Sequence, residues 1–299
     1  MTGNSVDIAV VQNTERARRF LAAQSTLYSD AKRIHDIRLF TVVSLALLTV
    51  VLALAFPGVR MTVGAIGGST AFLWSVISSE REKRCRREAA SVQEEFDTLV
   101  FSLPWNSFLA DRPSPTVVTE AAARYKGNRT KDWYPDTQNV VRPLDVLICQ
   151  RSNLGWGASM HRFYAACLTG VLVLLIVLGI GVSLVANFSL AESLTGVLVP
   201  LLAPVRELIE MIRANRDSGD SKVKLESKVL AVWDHGVSGS GLASLEDCRV
   251  VQDRILAIRQ SNSHIPDWLD AFRRNRNERL MQQGADYLIE EAIRNGKVR

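Results

Sequence analysis

All but one of the 36 Lys and Arg residues fall on one side of four apolar segments. The exception, Arg60, stands in the short connection between the first two. Segment one, residues 39–56, has 18 residues and no charge; segment three, residues 164–185, has 22 and none. At about 1.5 Å rise per helical residue, each covers most of a ~30 Å hydrocarbon core. Segment two, residues 62–77, follows after only five residues, which forces an antiparallel hairpin. Segment four, residues 190–205, is the most interrupted, with Glu192 near its start and Pro200 and Pro204 inside. An interfacial or re-entrant course is the alternative for that segment. A shorter apolar run would suit a buried core helix; uncharged runs of this length predict membrane spans.

The flanking charges set an orientation. Lys32, Arg33 and Arg38 precede the first segment, and Arg81, Lys83, Arg84, Arg86 and Arg87 follow the second. Arg162 precedes the third, and Arg206, Arg213 and Arg216 follow the fourth. Basic flanks are retained in the cytoplasm, so both termini are expected there. The first 38 residues are polar and charged, without the apolar stretch of a cleavable signal peptide. The sequon Asn187-Phe188-Ser189 falls on the outer loop, close to the membrane, and reads as a chance occurrence.

The predicted fold is an all-α membrane protein with four transmembrane helices in two hairpins. A mainly helical cytoplasmic domain is built from two segments, residues 78–163 and 213–299. An amphipathic N-terminal helix occupies residues 1–38. The first hairpin covers residues 39–77 and the second residues 164–212, including a helical exit. From Val63 to Leu103 there is no proline, so the second span continues into a stalk helix, on which Val92, Phe96, Leu99 and Leu103 share a face. Residues 104–163 are irregular and aromatic, with Trp105, Tyr125, Trp133, Tyr134 and Trp156. Helices are predicted near 115–125, 140–151, 222–234, 245–260 and 267–293. Asp217-Ser218-Gly219-Asp220 is expected to break the helix leaving the fourth span, and His235–Ser240 to form a flexible link.

Composition excludes several functions. The central cytoplasmic piece holds 13 basic and 11 acidic residues and the C-terminal piece 15 and 13, so neither carries the basic stripe of a duplex nucleic acid binder. Cys85, Cys149, Cys167 and Cys248 are scattered, none in a CxxC, and free thiols are expected. His35, His161, His235 and His264 show no metal-ligand spacing, and no phosphate loop, nucleophile elbow or dinucleotide fingerprint occurs. Glu94, Glu95 and Asp97 cluster on the stalk helix, where a solvated face explains them better than a metal site. The expectation is a protein without catalytic residues, metal or cofactor.

Two sets of residues remain as candidates. Gly64 and Gly68 form a GxxxG in the second span, a spacing that lets helix backbones approach closely within or between subunits. Glu192 reads either as an exposed interfacial carboxylate or as one member of a charge ring at a pore mouth. In the cytoplasmic part, Arg124, Lys126, Arg129, Lys131, Trp133 and Tyr134 lie within eleven residues. Arginine pairs with phosphate and aromatic rings stack on bases. Arg124, Lys126, Arg129, Trp133 and Tyr134, with Arg151, form a candidate ligand-binding set; the alternative is an ordinary basic loop with two core anchors.

Five stretches carry a family resemblance. They are Gln12-Asn13 with Leu21-Ala22-Ala23-Gln24 and Tyr28; Gln93-Glu94-Glu95-Phe96-Asp97 followed by Leu103-Pro104-Trp105-Asn106; Asp132-Trp133-Tyr134; Ile148-Cys149-Gln150-Arg151-Ser152-Asn153; and Ile265-Pro266-Asp267-Trp268. Their order around two pairs of apolar segments, over residues 10–293, resembles the S-4TM family. Its members are four-transmembrane pore-forming effectors associated with bacterial nucleotidyltransferases. The resemblance implies a cyclic-oligonucleotide-based antiphage signalling (CBASS) system. A partner nucleotidyltransferase would make a cyclic di- or oligonucleotide second messenger. The effector would bind it in the cytoplasm, form a homo-oligomer in the lipid bilayer, and permeabilise the inner membrane in an abortive infection. A membrane scaffold or sensor without a pore, or a small transporter, are the competing readings.

Overall fold

The computed structural model describes residues 7–155, 157–239 and 243–299. Trp156 and Ser240, both named above, lie outside them. The described residues are helical, with one isolated antiparallel bridge, Val140 to Val298, and no strand. The order is α1 (Ile8–Val11), α2 (Glu15–Ala55), a 3-10 turn (Pro57–Val59), α3 (Arg60–Phe101), α4 (Pro115–Ala123), α5 (Leu144–Gly155) and α6 (Ala158–Val185). Then come α7 (Leu190–Ser193), a π turn (Leu194–Leu198), α8 (Val199–Ser238), α9 (Leu245–Ser261) and α10 (Asp267–Arg294).

Several boundaries differ from the sequence expectation. α2 runs unbroken from Glu15 into the first apolar segment, so the N-terminal amphipathic helix and the first span are one helix. α8 continues through Asp217–Asp220 and past Gly236. Tertiary packing outweighs the helix-breaking tendency there: Ser218, Val229 and Trp233 are buried. Trp233 also donates its Nε1–H to Glu291 Oε2 at 2.8 Å. α3 matches the expected stalk closely, as one helix of 42 residues.

Among the described residues, three helices are long and apolar enough to cross a membrane: Glu15–Ala55, Pro57–Phe101 and the helical stretch Leu144–Val185. Only 6% of the most apolar window in the last is buried by the chain itself. Val173, Leu174, Val177 and Leu178 of α6 are all exposed. A core helix would cover such residues; left open along the helix, they suit one that crosses a membrane. The fourth apolar segment is divided between α7, the π turn and the start of α8, whose hydrogen-bond ladder also lacks donors at Pro200 and Pro204.

The chain resolves into two compact units. One comprises Met1–Ser29, Cys85–His161 and Asp217–Arg299; the other comprises Asp30–Arg84 and Arg162–Arg216. The first therefore uses three stretches of chain rather than the two expected. The N-terminal stretch joins because Ile8, Ala17 and Leu21 enter the same core as Phe96, Leu147, Trp233 and Ile255. In addition, buried Gln12 donates to the Tyr134 carbonyl at 3.2 Å and accepts from the Tyr134 N–H at 2.7 Å.

In the second unit, the GxxxG packs within the chain. Gly64 abuts the Thr195 carbonyl, and a Cβ built on Gly68 would lie 2.7 Å from the Val199 carbonyl oxygen. Gly67 faces the Thr49 side chain on α2. Replacing Gly68 with Leu should therefore separate α3 from α8 and cost roughly 1–3 kcal/mol. A lowered thermal midpoint in detergent would report that loss, and an unchanged midpoint would contradict it.

The connections after α2 and α6 are also built rather than loose. Arg60 donates Nε–H to the Ala53 carbonyl at 2.9 Å and Nη1–H to Glu192 at 2.5 Å, and its guanidinium lies 4.0 Å from the centre of the Phe188 ring. Glu192 completes a capping box with Ser189 at the start of α7. Arg60 is thus a buried staple, and Glu192 is a paired carboxylate. At the other end of this unit, Arg38 is enclosed between Glu82 at 2.8 Å and Glu207 at 3.1 Å. His35 lies 3.2 Å from Glu82, and Ser75 donates to Glu207.

Candidate functional site

The first unit contains a cavity of about 920 Å³, near the top of the range for small-molecule sites, roughly 300–1,000 Å³. Its wall draws on nearly every element of the unit. Tyr28 comes from α2, Gln93 from α3, Asn153 from α5, Lys222 from α8, Arg259 from α9 and Glu278 from α10, while Arg129, Lys131, Trp133 and Tyr134 come from the irregular stretch between α4 and α5.

That irregular stretch is held by specific contacts. Asn13 donates its side-chain N–H to Asp132 Oδ1 at 2.8 Å and accepts the Asp132 backbone N–H at 3.1 Å. Asp132 adopts a positive φ of 49°, a conformation Asp tolerates better than most residues. The Tyr134 ring stacks on Phe96 at 5.9 Å, and Trp133 meets the same Phe96 edge-on at 6.5 Å. Both aromatics are therefore fixed by the core while they face the cavity.

Behind the cavity lies a buried polar network. Asp97, fully buried on α3, accepts from Tyr134 Oη–H at 2.6 Å, Gln252 Nε2–H at 2.7 Å and Arg259 Nη1–H at 2.5 Å. Glu94, one turn away, accepts from Arg249 at 2.6 Å and Gln252 at 2.9 Å. Neither carboxylate lies on a solvated face, as the sequence reading held for this acidic cluster. Among the described residues no group of His, Cys, Asp and Glu is arranged to hold a metal. A helical wheel cannot show that α9 brings Arg249, Gln252 and Arg259 to this face of α3.

The electrostatics follow from burial. Burial opposes the charge on Arg259, but the Asp97 carboxylate together with the Tyr134 and Tyr28 hydroxyls outweighs it and raises the pKa of the guanidinium, holding it protonated. Burial and the Asp97 charge push the Tyr134 hydroxyl well above its usual range, so Tyr134 donates rather than ionises. Lys222 is brought down to about 8 by burial and then by the like charge of Arg259. Cys248 is pushed up to about 12, chiefly by burial, and all four thiols are unbridged, as expected.

The structure sorts the candidate ligand set. Arg129, Trp133 and Tyr134 line the cavity. Arg124 and Lys126 are exposed and are not part of its wall. Arg151 is turned to Glu226 at 3.1 Å and is not part of it either. Clustering in sequence placed Arg124 and Lys126 with the others, and Arg151 was joined to them from outside the cluster; the course of the chain after α4 and the pull of Glu226 separate all three. Sequence reasoning missed Tyr28, Gln93 and Asn153, although all three lie within the stretches that carried the family resemblance. It also missed Lys222 and Arg259, which stand on amphipathic helices with nothing local to distinguish them.

Apolar helices left uncovered by the chain, with a polar and aromatic cavity in a separate helical unit, define a membrane protein with a ligand-sized internal site. The model of the SMODS-associating 4TM effector domain matches residues 6–288, and the chain belongs to that family. A relative from Bacillus cereus (strain VD146), named "Probable CBASS effector molecule", is 26% identical over 284 residues, covering 91% of this chain and 95% of its own. No solved structure matches.

Proposed function

We propose that this membrane effector acts in cyclic-oligonucleotide-based antiphage defence, binding a nucleotide second messenger in its cavity and permeabilising the inner membrane as a homo-oligomer. The observation that carries the reading is the cavity itself. Aromatic rings held by core contacts and a surplus of cations are what a ligand made of bases and phosphates requires. Family membership and the CBASS relative support the defence context.

In this reading residues 190–205 form the fourth span, both termini are cytoplasmic, and the nucleotide is made by a partner nucleotidyltransferase. The ligand favours the assembled state because it binds that state more tightly. Gly64 and Gly68 keep the α3–α8 contact close, and Glu192, once released by Arg60, lines the outer mouth.

Vesicles containing the purified protein and a trapped dye test the proposal. Addition of cyclic di- and trinucleotides should release dye, with one or a few members of the panel active at micromolar concentration or below. Trp133→Ala should raise the half-maximal nucleotide concentration about tenfold, the order expected for one lost stacking partner. Nucleotide binding without any release would instead favour the scaffold or sensor reading. No binding by any nucleotide would overturn both.

A further inference from the structure

The cations of the cavity are unequally compensated. Arg259 spends Nη1 on Asp97, while its Nη2 is buried and has no hydrogen-bond partner among the described residues. Its side chain is only 11% exposed, so the bare donor is not served by bulk solvent. Lys222, on the opposing helix α8, has Nζ 3.2 Å from His161 Nε2 and no ion-pair partner among the described residues. Gly157 leaves room for that ammonium group, because a Cβ there would lie 2.5 Å from Nζ. Two positive groups, one with an idle donor and one with no counter-charge, thus share a cavity wall with the aromatic rings of Tyr28 and Trp133.

We propose that Lys222 and Arg259 form the phosphate subsite of this cavity, receiving a phosphodiester of the ligand between Nζ and Nη2. The subsite rests on the nucleotide reading above and assigns within it the residues that read charge. A phosphate oxygen satisfies the idle Nη2 without displacing Asp97 from Nη1, so the Asp97 network survives binding. It also supplies Lys222 with its missing counter-charge. Charge-assisted hydrogen bonds of this kind are the strong ones, and Arg offers phosphate a fixed donor fork. The lowered pKa of Lys222 agrees: an ammonium desolvated by burial, and then crowded by a second cation, is relieved by an anion.

Amine footprinting of the full chain in detergent tests the subsite without disturbing the fold. The protein is labelled with a limiting dose of acetic anhydride at pH 7.5, and each lysine is quantified by mass spectrometry. Labelling is repeated with inorganic pyrophosphate and with a panel of cyclic di- and trinucleotides, while tryptophan fluorescence reports binding independently. Pyrophosphate and at least one nucleotide should each protect Lys222 about fivefold or more and leave Lys126 unchanged. Lys222→Gln should weaken that nucleotide about tenfold. If a nucleotide changes the fluorescence but neither protects Lys222 nor loses affinity in Lys222→Gln, the subsite is wrong and the nucleotide reading stands. If pyrophosphate protects and no nucleotide binds by either readout, the subsite stands and the nucleotide reading falls. If nothing protects or binds, both are overturned.

Discussion

Asp97→Ala should destabilise the protein by roughly 3–5 kcal/mol, the cost of breaking a buried ion pair from one side. The carboxylate is the common acceptor for Arg259, Gln252 and Tyr134, and it has no exposed surface. Alanine would leave the Arg259 guanidinium buried beside a second cation, Lys222, and would strip the Tyr134 hydroxyl of its acceptor. Asp97→Asn keeps the shape and one oxygen, so it should cost less while still losing the charge. Denaturant melts of the detergent-solubilised chain, followed by tryptophan fluorescence, would measure both variants. A loss below about 1 kcal/mol for alanine would mean that water or rearrangement compensates Arg259, contrary to the packing seen here.

Arg38→Met should be comparably severe, again about 3–5 kcal/mol. Arg38 is only 5% exposed and is held by carboxylates from two other helices, Glu82 of α3 and Glu207 of α8. Methionine fills much of the same volume, so the loss isolates charge rather than packing. It leaves Glu82 and Glu207 buried, with His35, Ser75 and Arg206 as their remaining neighbours. The double variant Arg38→Met, Glu207→Gln should recover part of the loss by removing one stranded carboxylate. Heat-induced loss of helical signal in detergent would rank the three proteins. If the single variant were as stable as the parent, the network would not be holding these helices together.

The two networks mark where the sequence stopped being legible. Every helix of eight residues or more from α2 onward was anticipated within a few residues at one end or both, because helical periodicity, proline stops and caps are local signals. In the structure Ser244 caps α9 in a capping box with Asp247. The chief error of extent, at α8, had one cause: Asp217–Asp220 and Gly236 look like breaks but are kept helical by burial against distant residues. The candidate site was half legible. Trp133 and Tyr134 stand out in sequence as aromatics in a basic loop, and the structure places both at the cavity. Arg151 shares the same chemistry but is neutralised by Glu226, a pairing between α5 and α8 that spacing cannot reveal.

The sequence by itself determined that this is a helical membrane protein with long uncharged segments flanked by basic residues. Long uncharged runs and flanking arginines act through solvation, and solvation depends on what each residue is rather than on what it touches. Only the tertiary structure decided that Glu94 and Asp97 are buried anchors, that Arg60 is a staple on Glu192, and that Lys222 and Arg259 line one cavity. Those outcomes depend on which side chains oppose each other across helices far apart in the chain. Close packing and charge pairing set that opposition, and no local pattern encodes it.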